Sequence, residues 1–102
     1  MMSYERRAFF EIKKIIMREQ VFCVYCNWRP VTHIDHVVPR KLGGQTTLKN
    51  MVGACDICNR SKGASSLIEF LIRRFPNSSD QVEVCVRLLE LGKDIFEDSI
   101  PF

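Results

Sequence analysis

Residues 23–63 read CVYCNWRPVTHIDHVVPRKLGGQTTLKNMVGACDICNRSKG, and the Cys-x-x-Cys pair near each end of this stretch decides the fold. Cysteine pairs at this spacing are typical of a tetrahedral structural zinc site. Its ligands would be Cys23, Cys26, Cys55 and Cys58. Disulfide bonds are the alternative, but the charged N-terminal stretch is no secretory signal, so a reducing compartment and zinc are favoured. The fifth cysteine, Cys85, is expected to be a small buried hydrophobe.

The sequence between the cysteine pairs predicts a small β-hairpin. Residues 32–38 are rich in β-branched side chains and predict one strand, and residues 48–52 fit a second. Between them, Gly43-Gly44 predicts a loop that needs unusual backbone angles or a close approach of backbone. A short helix is predicted from Cys55 through Lys62.

Helices are predicted on both sides of this core. Ser3 can cap a helix that runs to about Glu19, and Ser66-Leu67-Ile68-Glu69 is a capping box that opens another. A last helix is predicted to begin at Ser78 or Ser79. Its core-facing residues are expected to be Val82, Cys85, Val86 and Leu89, continued loosely by Ile95 and Phe96. The expectation is one α+β domain over residues 1–102, with a core motif at 23–63 wrapped by helical segments at 3–19 and 66–97.

Charge and hydropathy indicate which partners and which compartment to expect for the chain. The 102 residues carry a net charge of +3, and four thiolates with Zn²⁺ would lower it to about +1. Residues 40–74 hold seven basic and two acidic side chains, whereas residues 75–102 hold two basic and six acidic ones. A basic middle suits contact with phosphates, although a solvated surface explains the asymmetry as well. No apolar run could span a bilayer, so we expect a cytoplasmic protein, or a phage-encoded one acting in the host cytoplasm.

The residues between and after the cysteine pairs suit phosphodiester hydrolysis. This reaction needs a base to deprotonate water and a cation to stabilise the departing oxyanion. His36 has a suitable intrinsic pKa for the base. Asp35 and Asn59 offer the hard oxygen atoms that Mg²⁺ prefers, and Asn59 directly follows a predicted zinc ligand. Zinc would therefore fix the helix relative to the Asp-His strand.

The order Cys-x-x-Cys, Asp-His-x-x-Pro, Gly-Gly, Asn, Cys-x-x-Cys-Asn-x-x-Lys resembles HNH endonucleases of the four-cysteine zinc type, which have the ββα-metal fold. The resemblance implies that His36 is the general base and that Asp35 and Asn59 hold a single catalytic Mg²⁺ or Mn²⁺. It also implies that Asn50 braces the loop between the strands and orients His36. Many relatives carry histidine in place of Asn59, and asparagine favours Mg²⁺ or Mn²⁺ over softer metals.

Five further residues are candidate nucleic-acid contacts, although single surface cations are usually only solvated. His33 lies on the same strand face as Asp35. A histidine at such a position is more often a packed or solvent-exposed residue than a contact to nucleic acid. The other four are Arg40, Lys41, Arg60 and Lys62.

The expected partner is double-stranded DNA, with RNA left open, and no membrane is expected. A homodimer or a complex with a larger protein is also left open, because a domain of this size can contact only a few DNA bases by itself. The alternative function is a non-catalytic zinc module that binds DNA or protein, as an accessory subunit of a phage or defence complex.

Overall fold

The computed structural model describes residues 3–95 and has the expected α+β architecture with a ββα core. Its helices and strands follow one another as α1 Tyr4–Glu19, β1 His33–His36, β2 Met51–Ala54, α2 Asp56–Lys62, α3 Leu67–Arg74 and α4 Ser78–Glu90. Three helix starts agree with the sequence signals. Ser3 and Ser66 accept the backbone N–H three residues on, and the Cys55 sulfur does the same at the start of α2. None of the helices in this part of the chain has the length and apolar character that crossing a membrane requires.

The two strands form an antiparallel pair in which His33 lies opposite Ala54 and His36 lies opposite Met51. The predicted second strand at 48–52 is wrong at its start, because Leu48–Asn50 forms a 3-10 turn and the strand continues to Ala54. The reason is the turn itself, in which the Asn50 N–H donates to the Thr47 carbonyl oxygen at 3.0 Å, so that only the Asn50 carbonyl still bonds across, to Val37 N. The first strand is likewise shorter than predicted.

The two faces of this hairpin pack against different elements. Successive side chains of a strand point to opposite faces. On one face, Ile34 and Met51 pack with Ile12 and Ile16 of α1. On the other face, the main core is built from the first cysteine loop, the hairpin and the three later helices. Its fully buried large members are Tyr25, Val37, Val52, Phe70, Val84 and Leu88.

The predicted core face of α4 is wrong. Val82, Val86 and Leu89 are exposed, and Val84 and Leu88 are the buried residues of this helix. Both stripes are apolar, so periodicity could not choose between them. The choice is made by Arg87, which donates to the carbonyl oxygens of Val24 and Tyr25 at 2.9 and 2.8 Å and turns its side of the helix inward.

Two of the predicted core residues at this end keep a place in the core. Cys85 is partly buried against the main core, and so is Ile95. Phe96, with the end of the predicted helical segment, lies outside the described residues.

The loop between the strands depends on a close approach at Gly44, as the sequence predicted. The N–H of Gly44 donates to the Pro39 carbonyl at 2.9 Å, and a Cβ atom there would overlap the Val38 carbonyl oxygen. Gly43 next to it has a φ of 94° but open space around its Cα. The two glycines are therefore needed for different reasons.

We expect Gly44→Ala to destabilise the zinc-loaded protein by about 2 kcal/mol or more, because the clash is with backbone that cannot move alone. Gly43→Asn is the matched control, since asparagine tolerates the left-handed region and no atom lies nearby; its cost should stay below about 1 kcal/mol. Urea unfolding of both variants measures the difference. An equal loss of unfolding free energy in the two variants would contradict the predicted clash at Gly44.

Candidate functional site

The four cysteines of the two pairs converge on one point. Their sulfur atoms all lie within 4.8 Å of one another, and the Sγ atoms of Cys26 and Cys55 are 3.9 Å apart. Zn–S bonds of about 2.3 Å in a tetrahedron place sulfurs roughly 3.8 Å apart. Cys23, Cys55 and Cys58 are buried and Cys26 is partly exposed. The donor set and its size therefore fit a closed structural zinc site.

The same thiols interact strongly with one another. A hydrogen bond from Cys58 lowers the pKa of the Cys23 thiol to about 4, while that bond and burial raise the pKa of Cys58. Each of these two thiols therefore affects the ionisation of the other. A divalent cation bound by all four sulfurs would stabilise the thiolate form of each.

Asp35 faces the main core and is already partnered. The residue is 7% exposed, and its Oδ2 atom accepts a hydrogen bond from the Tyr25 hydroxyl at 2.5 Å and lies 3.2 Å from the Lys62 ammonium. Burial raises the pKa of the Asp35 carboxyl, whereas the positive charge of Lys62 and the bond from Tyr25 act in the opposite direction. Among residues 3–95 no hydrogen bond reaches the other oxygen, Oδ1.

Lys62 lies in the interior rather than on the surface. The residue is 1% exposed, and its ammonium donates to the His36 carbonyl oxygen at 2.7 Å besides pairing with Asp35. Burial lowers the pKa of this lysine, and Asp35 opposes the shift. A phosphate contact needs an accessible ammonium, so the position of Lys62 differs from that expected of such a contact. Lys62 instead joins α2 to the end of β1.

His36 faces the opposite side of the hairpin, towards α1. Its half-buried ring approaches Thr46 Oγ1 through Nε2 at 3.0 Å, and that hydroxyl donates to Glu5 Oε1 at 2.9 Å. Burial lowers the pKa of the imidazole, although the negative charge of Asp35 raises it. The ring opens onto a cavity of about 440 Å³. The cavity is lined by Ser3, Glu5, Arg6, Phe9, Phe10, His36, Arg40 and Thr46.

Asn50 closes the loop that follows the His36 strand. Its buried amide accepts from Val38 N at 2.8 Å and donates to the carbonyl oxygens of Val38 and Gln45 at 3.0 and 2.9 Å. Its backbone carbonyl also accepts from Val37 N at 2.8 Å. These hydrogen bonds connect the two ends of the loop, so Asn50 lies where a residue that braces the loop would have to lie.

Asn59 lies in the first half of α2, directly after a cluster cysteine, and is half-buried. The helix is anchored at its start by Cys55 and packs against β1. Within residues 3–95 its side chain has no hydrogen bond, and only its backbone is engaged, with Cys55 and Gly63. An amide oxygen on α2 and the Oδ1 atom of Asp35 are hard donors, and this chemistry fits Mg²⁺ or Mn²⁺.

The remaining candidate contacts are on the surface, and most are paired. Arg40 forms an ion pair with Glu5, and Arg60 Nη2 lies 2.6 Å from Asp56 Oδ2. His33 is exposed and its Nε2 atom lies 3.8 Å from the same Asp56 carboxylate. Lys41 is solvent-exposed.

Three residues of the site were missed from the sequence. Tyr25 contacts Asp35 through its hydroxyl, and Glu5 and Thr46 form a chain to His36. For Tyr25 the signal available was its position between the predicted zinc ligands Cys23 and Cys26. Glu5 gave no signal, because its contacts to the site cross from the first helix to a distant loop.

Comparison with known proteins agrees with this geometry. Residues 23–65 match the model of a family described as HNH endonuclease. Over 53 residues, 47% of the chain, the sequence is 42% identical to the CRISPR-associated endonuclease Cas9 of Corynebacterium diphtheriae, and the match covers 5% of that relative's length. No solved structure matches. The resemblance to HNH endonucleases predicted from the motif is thereby confirmed for this segment.

For the cysteine cluster, we expect the protein purified under reducing conditions to contain about one zinc ion per chain. Cys58→Ser should lose the metal and cooperative unfolding together, because zinc binding is coupled to folding. Elemental analysis and thermal unfolding check this. Cys85→Ser is the control, since Cys85 lies outside the cluster and should retain zinc. Loss of zinc from both variants would contradict the assignment.

For Lys62, we expect substitution to act on stability rather than on DNA affinity. Lys62→Met leaves a buried carboxylate without its cation, which costs about 3 kcal/mol. Lys41→Met is the exposed control and should change the free energy of unfolding by less than about 0.5 kcal/mol. Chemical denaturation of the zinc-loaded variants measures both. A Lys62→Met protein as stable as the control would refute the ion pair.

Proposed function

We propose that this chain is a metal-dependent endonuclease that hydrolyses phosphodiester bonds in DNA, with His36 as the general base. The supporting observation is the setting of His36, which opens onto a cavity at the end of β1, within the segment that matches the HNH endonuclease family. Burial lowers the pKa of this imidazole and so favours the neutral ring that a base needs.

Asp35 and Asn59 would hold the catalytic Mg²⁺ or Mn²⁺. Two protein oxygens are few, and Mg²⁺ commonly binds in this way, keeping several waters beside a substrate phosphate. When bound, the ion supplies positive charge that polarises the phosphate and stabilises the departing oxyanion. The cysteine cluster anchors α2 and hence the position of Asn59 relative to β1.

In the proposed reaction, His36 takes a proton from a water molecule. The hydroxide attacks phosphorus in line, the bond from phosphorus to the 3′ oxygen breaks, and that oxygen takes up a proton from solvent. The products are a 5′-phosphate and a 3′-hydroxyl end. Double-stranded DNA is the proposed substrate. One His36 per chain cuts one strand, so cleavage of both strands would need two events or a dimer.

The second candidate function is a zinc module that binds DNA or protein without cleaving it. One observation favours it: the Asp35 carboxylate is already neutralised by Lys62, which reduces its attraction for a second cation. Titration of the zinc-loaded protein with Mn²⁺ separates the two functions. Binding that Asn59→Ala abolishes supports the nuclease, and no Mn²⁺ binding supports the module.

The decisive experiment is nicking of supercoiled plasmid in Mg²⁺ or Mn²⁺. We expect His36→Ala to lower the rate on the order of 100-fold, since general-base catalysis contributes at least that much. The surface variant Glu83→Ala, on the exposed side of α4, should nick like wild type. If His36→Ala and wild type nick equally, the activity belongs to a contaminant and the proposal fails.

A further inference from the structure

We propose that Glu5 and Thr46 are positioning residues that hold the His36 ring through Nε2 and leave Nδ1 as the nitrogen that accepts a proton. The inference rests on the proposed role of His36 as the base. It adds to that role a defined ring nitrogen and a contribution from α1, which lies outside the segment matched to the HNH family.

The direction of the hydrogen bonds carries the inference. Thr46 Oγ1 lies 3.0 Å from His36 Nε2 and 2.9 Å from Glu5 Oε1. A carboxylate can only accept, and a threonine hydroxyl has a single proton to give. The hydroxyl therefore donates to Glu5 and must accept from His36. In the neutral ring, a proton on Nε2 leaves the lone pair on Nδ1.

Glu5 is held as the acceptor at the end of this chain. Arg40 places Nε 2.9 Å from Oε1 and its second terminal nitrogen 2.9 Å from Oε2, a bidentate pair. Such a fork fixes the plane of the Glu5 carboxylate. The Oε1 atom would thus stay directed at Thr46. The role of Arg40 is then to fix Glu5.

The helix that carries Glu5 is itself fixed on the hairpin. Ile12 and Ile16 of α1 are buried against Met51, which lies opposite His36 in the strand pair. The hydroxyl of Thr46 comes from the loop that Asn50 closes, since Asn50 donates to the carbonyl of the residue before Thr46. Two separately anchored elements therefore meet at Nε2.

The first test reads the ring directly and needs no activity. A long-range ¹H–¹⁵N spectrum of the zinc-loaded protein, at a pH above the imidazole pKa, distinguishes the two neutral tautomers. We expect the Nε2-H form for His36 in wild type and in Thr46→Ser. Glu5→Leu frees the hydroxyl proton to turn towards the ring, so this variant should populate the Nδ1-H form. Thr46→Val removes the acceptor and should keep the Nε2-H form, which an unpartnered imidazole prefers, so it is the control for Glu5→Leu. An Nδ1-H ring in wild type, or no change in Glu5→Leu, overturns the proposal.

The second test uses plasmid nicking. We expect Thr46→Val to lower kcat about 10- to 100-fold with KM nearly unchanged, because the ring is misdirected while DNA contacts remain. Thr46→Ser should restore the rate, and Thr47→Val, the exposed neighbour, should match wild type. A Thr46→Val kcat within twofold of wild type overturns the proposal. If wild type shows no nicking that depends on His36, the proposed function fails, and the tautomer spectrum still decides the hydrogen-bond direction.

Discussion

Four cysteine sulfurs within 4.8 Å of one another bring the loop before β1 to the first turn of α2, and the part of the site that α2 carries takes its position from that contact. The cluster sets the start of α2, because the Cys55 sulfur caps the helix. The start of α2 in turn sets where Lys62 meets the end of β1. A domain of this size buries limited apolar surface, so a zinc ion bound by this cluster would substitute for packing that a larger protein would have.

Local signals in the sequence predicted most of the fold. The caps at Ser3 and Ser66 and the cysteine pairs act within a few residues, and the structure has each where it was expected. The prediction for α4 was wrong because a contact between residues far apart in the sequence determines the local structure. α4 has two apolar stripes, and the bonds of Arg87 to the first cysteine loop select the one with Val84 and Leu88. The second strand begins late because the Asn50 N–H bonds to the Thr47 carbonyl within a 3-10 turn instead of extending the ladder.

The part of the candidate site that was predicted from the sequence is the part that forms a sequence motif. Asp35, His36 and Asn59 are recognised by their order and by the cysteines that frame them. The motif does not indicate which residues of the folded protein contact these side chains. Strand alternation sends Asp35 towards Tyr25 and Lys62, and sends His36 towards Glu5 and Thr46. Lys62 resembles a surface cation in the sequence, yet burial and an opposite charge make it part of the interior.

The bonds of Arg87 to the carbonyl oxygens of Val24 and Tyr25 bear on how such a unit can be exchanged between proteins. Residues 23–65 carry the motif, but they do not carry the guanidinium that satisfies those carbonyls. A transplanted segment would therefore reach its new host with polar backbone uncovered beside the cysteine cluster. A host that buries these carbonyls must provide a donor in the same place, so compatibility is set by the recipient's flanking helices as much as by the transferred sequence.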